Sequence, residues 1–133
     1  ERISRLWLRP EAERAIAAKH VQSLQIRPPL VDRPLGTLSG GNQQKVALAK
    51  WLTYMPKVLV LSEPTRGMDV GAKEDVLKIV KSLRAQGIGV VVVSTEPETV
   101  LSLADRILVM KRGRIAKEFS REVVSKDRLL AAA

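Results

Sequence analysis

Three short apolar runs, at residues 58–61, 88–93 and 107–110, show no polar alternation and are separated by segments of helical periodicity. Uninterrupted runs of that length suit strands buried on both faces, as in parallel sheets covered by helices. Between the first two runs, Val76, Ile79, Val80 and Leu83 fall at i, i+3, i+4 and i+7, one stripe of a helix, with Gly87 placed as its left-handed cap. A shorter helix is predicted over 96–104. The order strand, helix, strand, helix, strand implies right-handed crossovers and an α/β fold built on a parallel sheet. After it, Lys111-Arg112-Gly113-Arg114 predicts a hairpin turn into a strand ending near Phe119, and Ser125 predicts the cap of a last helix reaching Ala133.

The chain upstream of residue 57 has a different character. Pro10 with Glu11 and Glu13 makes a favourable first helical turn, and the helix is predicted to run to about Gln25, before Pro28-Pro29. Residues 27–37, holding Pro28, Pro29, Pro34 and Gly36, predict an extended connector. The next helix begins at Ser39-Gly40-Gly41, presents Leu48, Trp51, Leu52 and Met55 as an apolar stripe, and is closed by Pro56. With 133 residues the chain can bury about two thirds of its unfolded surface. No Cys is present, which excludes disulfides, Cys-based zinc sites and a thiol nucleophile, and the single His excludes a His-rich metal site. The longest apolar run, 88–93, is far short of the ~20 residues of a membrane helix. Residues 1–5 show neither an initiator Met nor a secretion signal, so the chain looks like the interior of a longer one. The net charge is +9, yet the basic residues are scattered, from Arg2, Arg5 and Arg9 to Lys111, Arg112 and Arg114. Trp7, Trp51, Tyr54 and Phe119 are the only aromatic side chains, too few for a base-stacking platform, so no nucleic-acid partner is expected.

Ligands of open parallel sheets bind beyond the carboxyl ends of the strands. The residues there are Ser62-Glu63 and Ser94-Thr95-Glu96. A carboxylate directly after an apolar strand is well placed as a general base, and an apolar surround predicts a raised pKa for Glu63. The segment Leu38-Ser39-Gly40-Gly41-Asn42-Gln43-Gln44-Lys45 is more specific. Two Gly beside a Ser at a helix start leave several N–H groups unhindered next to a hydroxyl, an arrangement that receives phosphate. Ser39 as a plain helix cap would need neither the paired Gly nor the two Gln.

The residues from Leu38 to Gln44 resemble the signature loop of ATP-binding cassette (ABC) proteins. Val58-Leu59-Val60-Leu61-Ser62-Glu63-Pro64-Thr65 resembles their Walker B strand with its catalytic Glu. Arg66-Gly67-Met68-Asp69 is similar to the D-loop, and Ser94-Thr95-Glu96 stands in the place of the H-loop switch. Taken with Val70-Gly71-Ala72-Lys73, these motifs look like the second cassette of bacterial monosaccharide importers of the ribose, xylose and rhamnose kind. The resemblance implies a partial P-loop NTPase fold: 1–56 as part of the helical subdomain bearing the signature, and 57–133 as the C-terminal part of the ATPase core with a hairpin and a helix.

The departures matter as much as the likeness. No Gly-x-x-x-x-Gly-Lys-Ser/Thr loop occurs, so the Walker A portion is missing and would lie upstream of Glu1. Ser62 replaces the Asp expected near magnesium, and a neutral hydroxyl lacks the charge a hard cation prefers, so no metal ligand is expected in this chain. Glu96 replaces the switch His, where a carboxylate repels phosphate unless protonated or bridged by a cation. In the family each ATP lies between the Walker motifs of one cassette and the signature of the other. The resemblance therefore implies an asymmetric ATPase. Ser39, Gly40, Gly41 and Gln43 complete the partner cassette's site, Asp69 couples the two sites, and this cassette's own site, with Glu63, is degenerate. Lys45 and Gln43 would steady the loop, reach the ribose, or simply lie on a solvated helix face. The implied cofactors are ATP and Mg2+. The implied partners are the other cassette or a second copy, the membrane permease and, indirectly, a periplasmic sugar-binding protein, at the cytoplasmic face of the inner membrane. The chain alone is expected to be inactive and oligomeric. A soluble ABC ATPase acting on the ribosome or DNA is the alternative.

Overall fold

The computed structural model describes residues 10–120 and 124–133; Trp7 and the Arg2, Arg5 and Arg9 cluster lie outside them. The chain divides into a first unit ending at Pro56 and a second from Lys57 to Ala133.

In the first unit, helix α1 (Pro10–Ser23) starts on its Pro with Glu11 and Glu13 in the first turn, and it buries no residue of its own. Burial begins just beyond it, at Leu24 and Ile26. The connector is not wholly extended, since Leu35–Thr37 forms a 3-10 turn. Helix α2 (Gly40–Leu52) buries Gly41, Lys45, Leu48, Ala49 and Leu52. The apolar stripe expected on it is only half realised: Trp51 is 58% exposed and Met55 74%. The helix stops at Leu52 rather than at Pro56, and Met55 takes a left-handed φ of 45°, which turns it off the helical face. Polar ties join α1 and its flanks to α2 and its flanks. Arg14 pairs with Asp32 at 2.6 Å, His20 Nε2 lies 3.0 Å from Thr53 Oγ1, and the buried Lys45 Nζ donates to the Gln25 carbonyl at 3.4 Å.

In the second unit, β1 (Val58–Ser62) and β2 (Gly89–Val93) pair parallel in register from Val58↔Gly89 to Ser62↔Val93. Helix α3 (Val70–Ala85) connects them. Asp69 caps its start by accepting the Ala72 N–H at 2.8 Å. Its end is a Schellman closure, with Ile88 N–H on the Leu83 carbonyl at 3.1 Å and Gly87 N–H on that of Arg84 at 2.9 Å. Gly87 sits at φ 84°, as a left-handed cap requires. Val76 and Val80 of α3 and Leu103 of α4 (Pro97–Leu103) form the core, packed by Leu61, Met68, Leu77, Val90 and Val92. Only that face of the strands is covered. Val58, Val60, Val91 and Val93 are exposed, so the expectation of two buried faces does not hold among the described residues.

The third apolar run also departs from expectation. Strand β3 (Arg106–Lys111) is not a third parallel strand; among the described residues it pairs only with β4 (Arg114–Ser120), antiparallel. The reason is local. Arg112 and Gly113 both adopt positive φ, 49° and 76°, giving the two-residue turn whose twist suits an immediate hairpin partner. Ile107 and Phe119 then pack with Leu129 of α5 (Lys126–Ala132) in a separate core that includes Val100, Leu101 and Ala104. Ser125 caps α5 as predicted, accepting from Arg128 N–H at 3.4 Å.

Val76 has 0% exposure, so Val76→Ala should cost about 2 kcal/mol in denaturant unfolding. Val60→Thr, on the uncovered face, should stay within about 0.5 kcal/mol.

Candidate functional site

The residues singled out by sequence fall into two groups, one in each unit. In the first, Ser39 has the extended backbone of a helix N-cap, φ −61° and ψ 154°, but its side chain does not bond a helix amide. Its Oγ instead accepts from Asn42 Nδ2 at 2.9 Å. The first helical bond runs from Gln43 N–H to the Ser39 carbonyl, 2.9 Å. The N–H groups of Gly40, Gly41 and Asn42 are thus left at the open end of α2, with no acceptor among the described residues. A Cβ at Gly40 would meet open space, so the approach is clear. Free amides at the positive end of a helix receive anions, phosphate among them. Gln43 turns inward, donating from Nε2 to the Leu38 carbonyl at 2.9 Å, and so braces the loop from behind.

In the second unit, the register of β1 and β2 brings Ser62, Glu63 and the 94–96 segment to one end of the ribbon. Ser62 is exposed at the strand end. Glu63 leaves the strand with φ 47°, a left-handed conformation that costs roughly 1–2 kcal/mol for a residue with a side chain. The bonds around it offset that cost. Its N–H donates to the Val93 carbonyl at 2.7 Å, and its carboxylate accepts from Thr95 N–H at 2.9 Å and Ser94 Oγ at 3.2 Å. Hydrogen bonding from the Thr95 side chain, then from its N–H and Ser94, with the charge of Arg66, holds Glu63 below the ordinary carboxylate value. The raised pKa expected from an apolar surround is overturned. The strand end is ringed by donors, which stabilise the charged form more than desolvation opposes it.

Glu96 is bridged by a cation of the chain itself. Lys73 Nζ lies 2.7 Å from Glu96 Oε1, while Thr65 Oγ1 and Thr99 Oγ1 each donate to Oε2 at 3.0 Å. The two hydroxyls are 2.9 Å apart, and both threonines are buried. The Glu96 N–H donates to Ser94 Oγ at 3.1 Å, so one serine links the Glu63 carboxylate to the Glu96 backbone. Lys73 first, then Thr99 and Thr65, hold Glu96 below its usual range. Lys73, Thr65 and Thr99 were given no role from sequence. Lys73 lies four residues past the cap at Asp69, and only the folded first turn of α3 turns that spacing into a contact with Glu96. Asp69 itself is exposed, its carboxylate spent on α3.

The donor set does not suit magnesium. A hard cation wants anionic oxygens. Ser62 is neutral, the Glu63 carboxylate is taken up by Thr95 and Ser94, and no cluster of three acidic or His residues exists among the described residues. No described helix is long and apolar enough to cross a membrane.

A family model described as "ABC transporter" matches residues 5–66. The chain is 47% identical over 128 residues to the xylose import ATP-binding protein XylG of Moorella thermoacetica, covering 96% of this chain and 25% of that protein. It is 42% identical over 127 residues to the ribose import ATP-binding protein RbsA 1 of Rhizobium meliloti, again covering 96% and 25%. The chain thus spans about a quarter of the length of these curated relatives. Among solved structures it resembles the ATP-binding cassette MJ1267 in its ADP conformation, with TM-score 0.80, 28% identity, and 97% of this chain and 52% of that one covered. The dimeric post-hydrolysis state of the cassette MJ0796, bound to ADP and Pi, matches with TM-score 0.75 and 26% identity over 89% and 51%.

The depressed pKa of Glu96 sets a pH dependence. Its contribution to stability is fully present above the unfolded value, near 4.5, and is lost as pH falls through the lower folded value. Acid unfolding of Glu96→Gln should therefore be shallower below 4.5 than that of the parent chain. Coincident acid limbs would show that the Lys73 pair contributes nothing.

Proposed function

Because the chain belongs to the ABC transporter family, we propose that it is part of an ATP-hydrolysing subunit that energises sugar import, and that its signature loop completes the ATP site of a partner cassette. The observation that carries this reading is the open end of α2. Ser39 leaves its own helix uncapped, so a hydroxyl and three amides stand ready for an anion from outside the chain. In the proposed site the Ser39 hydroxyl and the Gly41 N–H bind oxygens of the terminal phosphoryl group while water attacks in line. Holding that group fixed supplies most of the rate in such transfers. Asp69 lies near the cassette interface and couples the two sites. The sugar comes from the names of the relatives, ribose and xylose import proteins, and these favour an importer over a ribosome- or DNA-acting ATPase. The partners are then the other cassette or a second copy, a membrane permease and, through it, a periplasmic binding protein, with the subunit at the cytoplasmic face of the inner membrane.

The cassette's own site is the weaker of the two in this proposal. Glu63 is a carboxylate of lowered basicity, tied to the 94–96 segment, and Ser62 supplies no charge. The donors of these residues do not make a site for magnesium.

Transport by the full-length subunit should be abolished by Ser39→Arg, which fills the anion site with a bulky side chain, and reduced far less by Glu63→Gln. Comparable losses would contradict the asymmetry. Calorimetric titration of ATP into the 133 residues should reveal no micromolar binding, because the sequence holds no phosphate loop; measurable micromolar affinity would mean that the signature segment is not the subordinate half of a shared site.

A further inference from the structure

One side chain of the signature segment has no role in the reading above. Asn42 bridges two unlike partners: its Oδ1 accepts the backbone N–H of Arg27 at 2.9 Å, and its Nδ2 donates to Ser39 Oγ at 2.9 Å. A backbone N–H can only donate, which decides the end of the carboxamide that carries oxygen. The amino end is then obliged to face Ser39.

The arrangement differs from a capping box. There the N-cap side chain bonds the amide three residues on, and the residue at that position reaches back to the N-cap amide. Here Ser39 and Asn42 occupy those positions, but side chain meets side chain and the amide of Asn42 stays open. A serine hydroxyl has one proton and two lone pairs. Since Nδ2 occupies one lone pair, the proton points away from Asn42, and no acceptor among the described residues takes it.

We infer that Asn42 is a positioning residue, which fills a lone pair of Ser39 so that the hydroxyl can only donate to a phosphoryl oxygen arriving at the open end of α2. This rests on the role proposed above for the signature loop. The anchor on Arg27 lies outside α2, so the orientation of the hydroxyl is set before any ligand arrives. An aspartate at position 42 would reverse the polarity. It would still accept from Arg27 N–H, but it would also draw the Ser39 proton onto itself.

The test is ATP hydrolysis by the full-length subunit with its permease, carrying Ser39→Ala, Asn42→Ala and the two together. Asn42→Ala should lower kcat/KM by about tenfold. The double variant should be no slower than Ser39→Ala alone, because without the hydroxyl Asn42 has nothing to orient. An equal loss from Asn42→Ala in both backgrounds would mean that it supports only the loop backbone and would overturn the inference. Asn42→Asp, nearly isosteric and able to keep the Arg27 bond, guards against simple unfolding. It should be slower than Asn42→Ala while Ser39 is present, and the gap should narrow with Ser39→Ala to what repulsion between carboxylate and phosphate leaves. A gap of the same size in both backgrounds reports charge repulsion alone and overturns the inference, as does wild-type activity in Asn42→Asp. If Ser39→Ala hydrolyses ATP normally, the reading of the signature loop itself fails and takes this inference with it.

Discussion

The parallel, in-register pairing of β1 with β2 is the constraint on which the second unit depends. Because Ser62 stands opposite Val93, the chain leaves both strands at the same level, and the segments that follow meet without further folding. The Glu63 N–H reaches the Val93 carbonyl, and Ser94 and Thr95 reach the Glu63 carboxylate, because of that match. A slip of β2 by one residue would turn Val90 and Val92 away from Val76 and Val80 and expose them. Core and polar end thus stand or fall together.

The polar groups divide into donors without acceptors and acceptors already supplied. At α2, three amides and a hydroxyl proton have no acceptor within the described chain, so their chemistry awaits an external anion. At the ends of β1 and β2, both carboxylates are surrounded by donors from Thr95, Ser94, Lys73, Thr65 and Thr99. Glu96 would repel a nearby phosphate if it were bare. Its ion pair with Lys73 and its two hydroxyl bonds turn it into an anchor between the 94–96 segment, the turn holding Thr65 and the start of α3. A residue that looks like damage to a nucleotide site is, within this chain, a well-satisfied structural group.

Much of this was legible from local chemistry. Pro10 with two acids began α1, Gly87 closed α3, Arg112-Gly113 turned the hairpin and Ser125 capped α5, since each depends only on residues a turn away. The errors share a different cause. Apolar runs report what a strand can bury and not what covers it, so residues 58–61 promised two covered faces and show one. Residues 107–110 are as uninterruptedly apolar, yet a tight turn supplies an antiparallel neighbour before any crossover can act. The lowered basicity of Glu63 is not legible from its neighbours in sequence, because its donors Ser94 and Thr95 lie thirty residues along. Lys73, Thr65, Thr99 and Asn42 are invisible to spacing, because their partners come from other elements or from an orientation that only the folded backbone defines.

The two-stranded ribbon of β1 and β2 has a dynamic counterpart. Each strand turns alternate peptide groups toward its neighbour and the others outward, so in isotope-exchange measurements slow and fast amide hydrogens would follow one another with the period of the pleat. Where another chain or segment adds a strand, that alternation would give way to uniform protection. The ribbon thus carries its own record of whether its edges are occupied.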